Sequence, residues 1–168
     1  MSSYRTVGEN TTIIRMDAGT SGLLASLIRS QRVAHLGTLR TGAPLVSMTL
    51  FLGERDFSAF YVHVSRLAWH TQDMLQDPRV SLSIAETDDG RADPFTLMRV
   101  SIRGEAVQLT GQNETLKARW LERFPEQAIN FTLADFSFWR IAPSDARFVA
   151  GFGKINNLSA AELARAAG

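Results

Sequence analysis

The chain has 168 residues, 45% of them apolar, with 18 basic against 17 acidic residues and a net charge of +1. A chain of this size buries roughly 70% of its unfolded surface as one folded unit, and a balanced charge without a basic block argues against nucleic acid or an anionic membrane as partner. Cysteine is absent, which excludes disulfides, thiolate catalysis and cysteine-ligated zinc and fits a reducing, cytoplasmic compartment.

The first 18 residues are polar and aperiodic and read as a loosely held arm, without the apolar core of a secretory signal. Leu23, Leu24, Leu27 and Ile28 make a helical stripe, which predicts a helix over residues 21–31 capped by Ser21. Three strands follow, at 33–40, 44–53 and 57–64, divided by Thr41-Gly42 and by Glu54-Arg55-Asp56, and they are spaced as an antiparallel meander. A helix over 66–76 ends before Pro78, because proline disfavours the α conformation in the residue before it.

A fourth strand is expected at 79–86, then a polar loop to Pro94. Asp88, Asp89 and Asp93 in that loop lack the distal glutamate of a calcium loop and read as a solvated turn. A long strand at 97–109 carries Gly104 midway, the mark of a bulge or bend. An amphipathic helix at 113–124 has Leu116, Trp120 and Leu121 on one side. Two strands, 136–141 and 146–152, flank Ala142-Pro143-Ser144-Asp145, and the tail from 157 carries a short helix over 159–167. No apolar run approaches the ~20 residues that span a bilayer. Six or seven strands with inserted helices and no βαβ alternation give an α+β class with a mainly antiparallel barrel, and no linker divides the chain.

The junction of the third strand and second helix, Ser65-Arg66-Leu67-Ala68-Trp69-His70-Thr71, carries the chemistry. A helix start has unpaired N–H groups and the positive end of the dipole, and is suited to an anion such as phosphate. Ser65 is expected to cap it, with Arg66 and His70 sharing a face. A capped surface helix with scattered basic residues fits the same letters. His35 and His63 lie on separate strands and read as structural, and three histidines without a matched carboxylate spacing make no metal site.

These segments, with Gly42-Ala43-Pro44-Leu45-Val46-Ser47, Asp77-Pro78-Arg79-Val80-Ser81-Leu82, Arg103-Gly104-Glu105-Ala106 and Ala146-Arg147-Phe148-Val149-Ala150-Gly151-Phe152-Gly153-Lys154, resemble the FMN-binding split β-barrel family typified by pyridoxamine 5′-phosphate oxidase. The branch with bacterial haem-degrading proteins is the nearest in pattern. The resemblance spans residues 20–156 and implies a six- to seven-stranded antiparallel split barrel with peripheral helices, working as a homodimer with FMN at the subunit interface. By the same resemblance Ser47, Met48 and Thr49 run beside the flavin ring, and Ser65, Arg66, His70 and Thr71 carry its phosphate. His70 stands where the oxidases keep a lysine, and Trp69 where they keep an arginine, so the phosphate site is altered here. Arg99 matches a flavin-contacting glutamine, Trp139 the flavin-side tryptophan, and Lys154 lies near the cofactor of the partner subunit. Core packing fits Trp139 and Met48 equally well, a strand-surface charge fits Arg99, and a solvated loop fits Lys154.

Function follows as an expectation: an FMN-dependent oxidoreductase acting on an undefined small molecule, the flavin supplying the redox chemistry. A non-catalytic flavin- or haem-binding carrier or sensor, or a haem-degrading oxygenase, is the alternative. The oxidase's arginine-x-histidine substrate motif is missing after Trp139, where the chain reads Arg140-Ile141-Ala142-Pro143. No protein nucleophile is nominated, because no cysteine or serine–histidine–aspartate set is evident.

Overall fold

The computed structural model describes residues 16–151 and 154–168. Most of the N-terminal arm, and Phe152 and Gly153 of the Gly-Phe-Gly-Lys ending, lie outside the described residues. The chain forms an α+β split barrel: one curled antiparallel sheet of order β2-β1-β5-β6-β7-β4-β3, with β8 added alongside β7.

Helix α1 (Ala18–Ser30) starts earlier than its stripe suggests, and its cap is Asp17 rather than Ser21. The Asp17 carboxylate accepts from Thr20 N at 2.8 Å and Thr20 Oγ1 at 2.7 Å, satisfying an otherwise orphaned donor. Leu24, Leu27 and Ile28 face the main core.

Strands β1 (Val33–Arg40) and β2 (Ala43–Leu50) form a hairpin, with Thr41 and Gly42 both at positive φ in its turn. The expected meander stops there. The strand predicted over 44–53 is broken at Phe51, whose ring is buried, and the chain resumes as β3 (Leu52–Gly53) on the opposite edge of the sheet. Crossing from one edge to the other is what curls the sheet. The third strand starts later than expected, as β4 (Phe60–Ser65), because Phe57 sits in the preceding turn at φ +55°. Phe60, Val62 and Val64 point into the core, and Tyr61, His63 and Ser65 point the other way.

Helix α2 (Trp69–Gln76) leads to β5 (Arg79–Ala85), and β6 (Arg99–Gln108) follows the acidic loop. In that loop each aspartate is used locally: Asp88 accepts from Gly90 N, Asp89 pairs with Arg91, and Asp93 accepts from Phe95 N. The register of β6 against β7 (Phe136–Val149) shifts between Arg103 and Gly104, the bulge that the glycine announced. A side chain at Gly104 would run into the Ala142 carbonyl.

The two C-terminal strands expected around Ala142-Pro143-Ser144-Asp145 are one continuous strand, β7. Pro143 lies opposite the bulge at Gly104, where a missing N–H costs least. Between α3 (Glu114–Arg123) and β7 lies a 3₁₀ segment, Pro125–Thr132, and beyond β7 lies β8 (Ile155–Ser159); neither was expected. Ser159 caps α4 (Ala160–Arg165) in a reciprocal capping box with Glu162. A second, aromatic cluster of Trp120, Phe124 and Phe138 fills the space between α3 and the outer side of β4 and β7.

Candidate anion-binding site

Helix α2 begins at Trp69, three residues later than predicted, and the residue before it, Ala68, offers no side-chain cap. Ser65 is therefore not the cap. Its hydroxyl donates to the Asp135 carboxylate and accepts from Leu67 N at 3.1 Å, while Arg66 N donates to Asp135 O at 2.7 Å. Arg66 lies outside the helix and is exposed, so it shares no helical face with His70. The β4–α2 connection is instead pinned to the start of β7 through Asp135.

That arrangement leaves the N–H groups of Trp69 and His70 without partners among the described residues, at the positive end of the helix dipole. Thr71 is buried with its hydroxyl oxygen unpaired, and His70 Nε2 is likewise buried and unpaired. Burial holds the His70 imidazole below its ordinary pKa, with nearby Asp73 pulling the other way. The His70 imidazole is accordingly neutral at neutral pH and offers a hydrogen bond rather than a charge.

The positive charge at this corner comes from a residue that sequence reasoning missed. Arg40, at the end of β1, lies 4.2 Å over the Trp69 ring, with Nη1 donating to Asp73 Oδ1 at 3.0 Å. Thr38 Oγ1 donates to the other Asp73 oxygen at 2.9 Å. Asp73 is thus neutralised from inside and Arg40 keeps an exposed flank toward the helix start. The signal was present in the hairpin: Thr38 and Arg40, two apart, share one face of β1.

Of the residues placed beside a flavin ring, Ser47 and Thr49 lie on the inward face of β2, and Thr49 Oγ1 donates to Leu50 O at 3.0 Å. Met48 is not core: with Val46 it projects outward, 67% exposed. Trp139 is buried in the main core with Nε1 unpaired. Arg99, half-buried, donates to Phe95 O at 3.3 Å and Leu97 O at 3.0 Å. Arg99 pairs with Val149 at the end of the sheet where β1 begins, and Lys154, exposed, accepts from Ala150 N nearby. The α2 corner is at the other end, where β1 finishes. One subunit therefore does not bring Arg99 and Lys154 to the anion corner.

Residues 22–150, most of the chain, match the family described as pyridoxamine 5′-phosphate oxidase. The chain belongs to that family. Within it, the chain is 35% identical over 111 residues to the non-canonical haem oxygenase HOZ of Arabidopsis thaliana, covering 66% of this chain and 33% of that protein. It is 27% identical over 126 residues to the haem oxygenase HutZ of Vibrio cholerae, covering 73% and 70% respectively. A solved haem-binding protein from Mycobacterium smegmatis superposes with a TM-score of 0.76 at 26% identity, covering 91% of this chain and 62% of that one. The chain thus spans a third of the Arabidopsis relative and under two thirds of the mycobacterial protein. Among the described residues no helix is long and apolar enough to cross a membrane.

Proposed function

We propose that this chain binds haem, and that its activity, where it has one, is haem degradation. The similarity to two haem oxygenases and a haem-binding protein supports this reading over the flavin oxidoreductase expected from the sequence. The observation that carries it in the structure is the α2 corner: free N–H groups of Trp69 and His70, unpaired Thr71 Oγ1 and His70 Nε2, and the Arg40 guanidinium. That donor set suits a carboxylate as well as a phosphate, so it fits a propionate of haem. Bound haem would supply the iron and its oxygen chemistry. The protein's part is to hold the anionic edge and orient the ring. Of the three histidines only His35 is exposed, and it is the imidazole open to iron.

FMN is the second reading, favoured by the family and by the same corner, which would then hold the flavin phosphate. In either case a homodimer accounts for the distribution of residues: a second copy supplies Arg99 and Lys154 from the far end of its sheet. The exposed pair Val46 and Met48 on β2 offers apolar surface for that contact. A small-molecule reaction partner follows from both readings.

Absorbance titration tests the choice. Haemin added to purified protein is expected to give a saturable, shifted Soret band with one haem per chain, displaced weakly or not at all by FMN. Saturable FMN uptake with only non-saturable haemin association would favour the flavin reading. Light scattering that gave a monomer with cofactor bound would remove the dimer.

A further inference from the structure

On the far side of β4 from the main core, His63 sits in a box of aromatic rings. It stacks on Phe131 with centroids 4.2 Å apart and planes at 11°, and Phe138, Phe136 and Trp120 close the other sides at 4.6, 5.4 and 5.9 Å. Its Nδ1 is sealed from solvent and has no partner. The ring makes no hydrogen bond among the described residues, so Nε2 is the nitrogen that solvent reaches. Leaving a bare lone pair buried costs less than leaving a bare N–H buried, because the N–H is the harder group to orphan. The proton therefore sits on Nε2, which donates outward.

A cavity of about 250 Å³ opens there, with His63, Phe131, Phe136 and Phe138 in its wall and Lys117 and Glu114 at its mouth. The Lys117 ammonium stands 5.3 Å from the Phe131 ring and only loosely paired, 4.0 Å from Glu114. A phenylalanine at position 63 would complete the aromatic box without an orphaned nitrogen; an imidazole makes sense where something accepts from it. Burial pushes its pKa down to about 4, which keeps the ring neutral at physiological pH.

We infer that this cavity is a second binding site, separate from the α2 corner, for a small aromatic acid: its ring lies among the phenylalanines, one oxygen accepts from His63 Nε2, and its carboxylate pairs with Lys117. The volume admits one substituted ring and excludes a flavin or a porphyrin. Two ends are read, one by hydrogen bond and one by charge, with the aromatic wall between them.

The test is an NMR titration of the full chain with 4-hydroxybenzoate, following the imidazole signals of its three histidines, with His63→Phe assigning that of His63. The expected result is saturable movement of the His63 signal, with affinity lowered about tenfold or more by His63→Phe and by Lys117→Gln. Benzoate, without the hydroxyl, and phenol, without the carboxylate, should each bind less tightly than 4-hydroxybenzoate. Binding that persists undiminished in both variants, or no saturable shift into the millimolar range, overturns the site. Displacement by stoichiometric haemin or FMN also overturns it, because the probe would then be in the cofactor site. Lys117→Gln changes a partly exposed side chain, so a folding failure of the His63 variant does not leave the proposal unanswered.

Discussion

Arg40 and Asp73 form an ion pair of 3.0 Å in which the carboxylate is buried and the guanidinium keeps an open side. This pair ties the end of β1 to the second turn of α2, and it sets the charge at the helix start. A hairpin strand and a helix 33 residues apart in sequence are joined by one contact.

Removing the carboxylate would leave Arg40 loosely held and Thr38 without an acceptor. Asp73→Ala should destabilise the fold by about 1–3 kcal/mol, the cost of orphaning hydrogen-bonded partners at a partly buried site. Urea unfolding reads this as a lower midpoint with unchanged slope.

Gly104 marks a tighter constraint. Any side chain there meets the Ala142 carbonyl across the β6–β7 bulge. Gly104→Ala should cost roughly 2–4 kcal/mol through overpacking and loss of the bulge. Thermal unfolding monitored by circular dichroism checks it, and an unchanged midpoint would mean that the bulge shifts without strain.

Much of this architecture was legible in the sequence, and the misses share a cause. The strands β1, β5 and β6 and the bulge at Gly104 follow from alternation and from one glycine, which are local signals. The break at Phe51, the unity of β7 and the addition of β8 are long-range facts. Phe51 looks like any strand phenylalanine until the chain has to reach the opposite edge, and Pro143 looks like a turn until it lies against a bulge. At the α2 corner, His70 was read from the helix start and Thr71 came in only through the family resemblance. Ser65 was misread because its acceptor, Asp135, lies 70 residues away. Arg40 was missed for the same reason.

The His63 imidazole predicts a pH dependence. Its folded pKa is depressed to about 4, below an unfolded value near 6.5, because burial disfavours the charged form. The unfolded chain therefore binds the proton more readily in that window, and stability falls as pH drops from about 6.5 toward 4. His63→Phe should flatten that decline. His70 is shifted the same way and stays in both proteins, so the difference between wild type and variant in urea midpoint at pH 7 and pH 4.5 isolates His63.

The Ser65 hydroxyl is committed to Asp135 and to Leu67 N, and so holds the β4–α2 connection. Ser65→Ala should therefore lower stability by about 1 kcal/mol while changing cofactor affinity little. Chemical unfolding beside a cofactor titration separates the two effects.

The account rests on the α2 corner gripping the anionic edge of a planar cofactor, and a titration of haemin into wild type, Arg40→Gln and Thr71→Val tests it most directly. Each contact removed should weaken binding by about ten- to a hundredfold, the range of a charge-assisted hydrogen bond of roughly 1.5–3 kcal/mol. Saturable haemin binding at wild-type affinity in both folded variants would place the cofactor elsewhere and contradict the account.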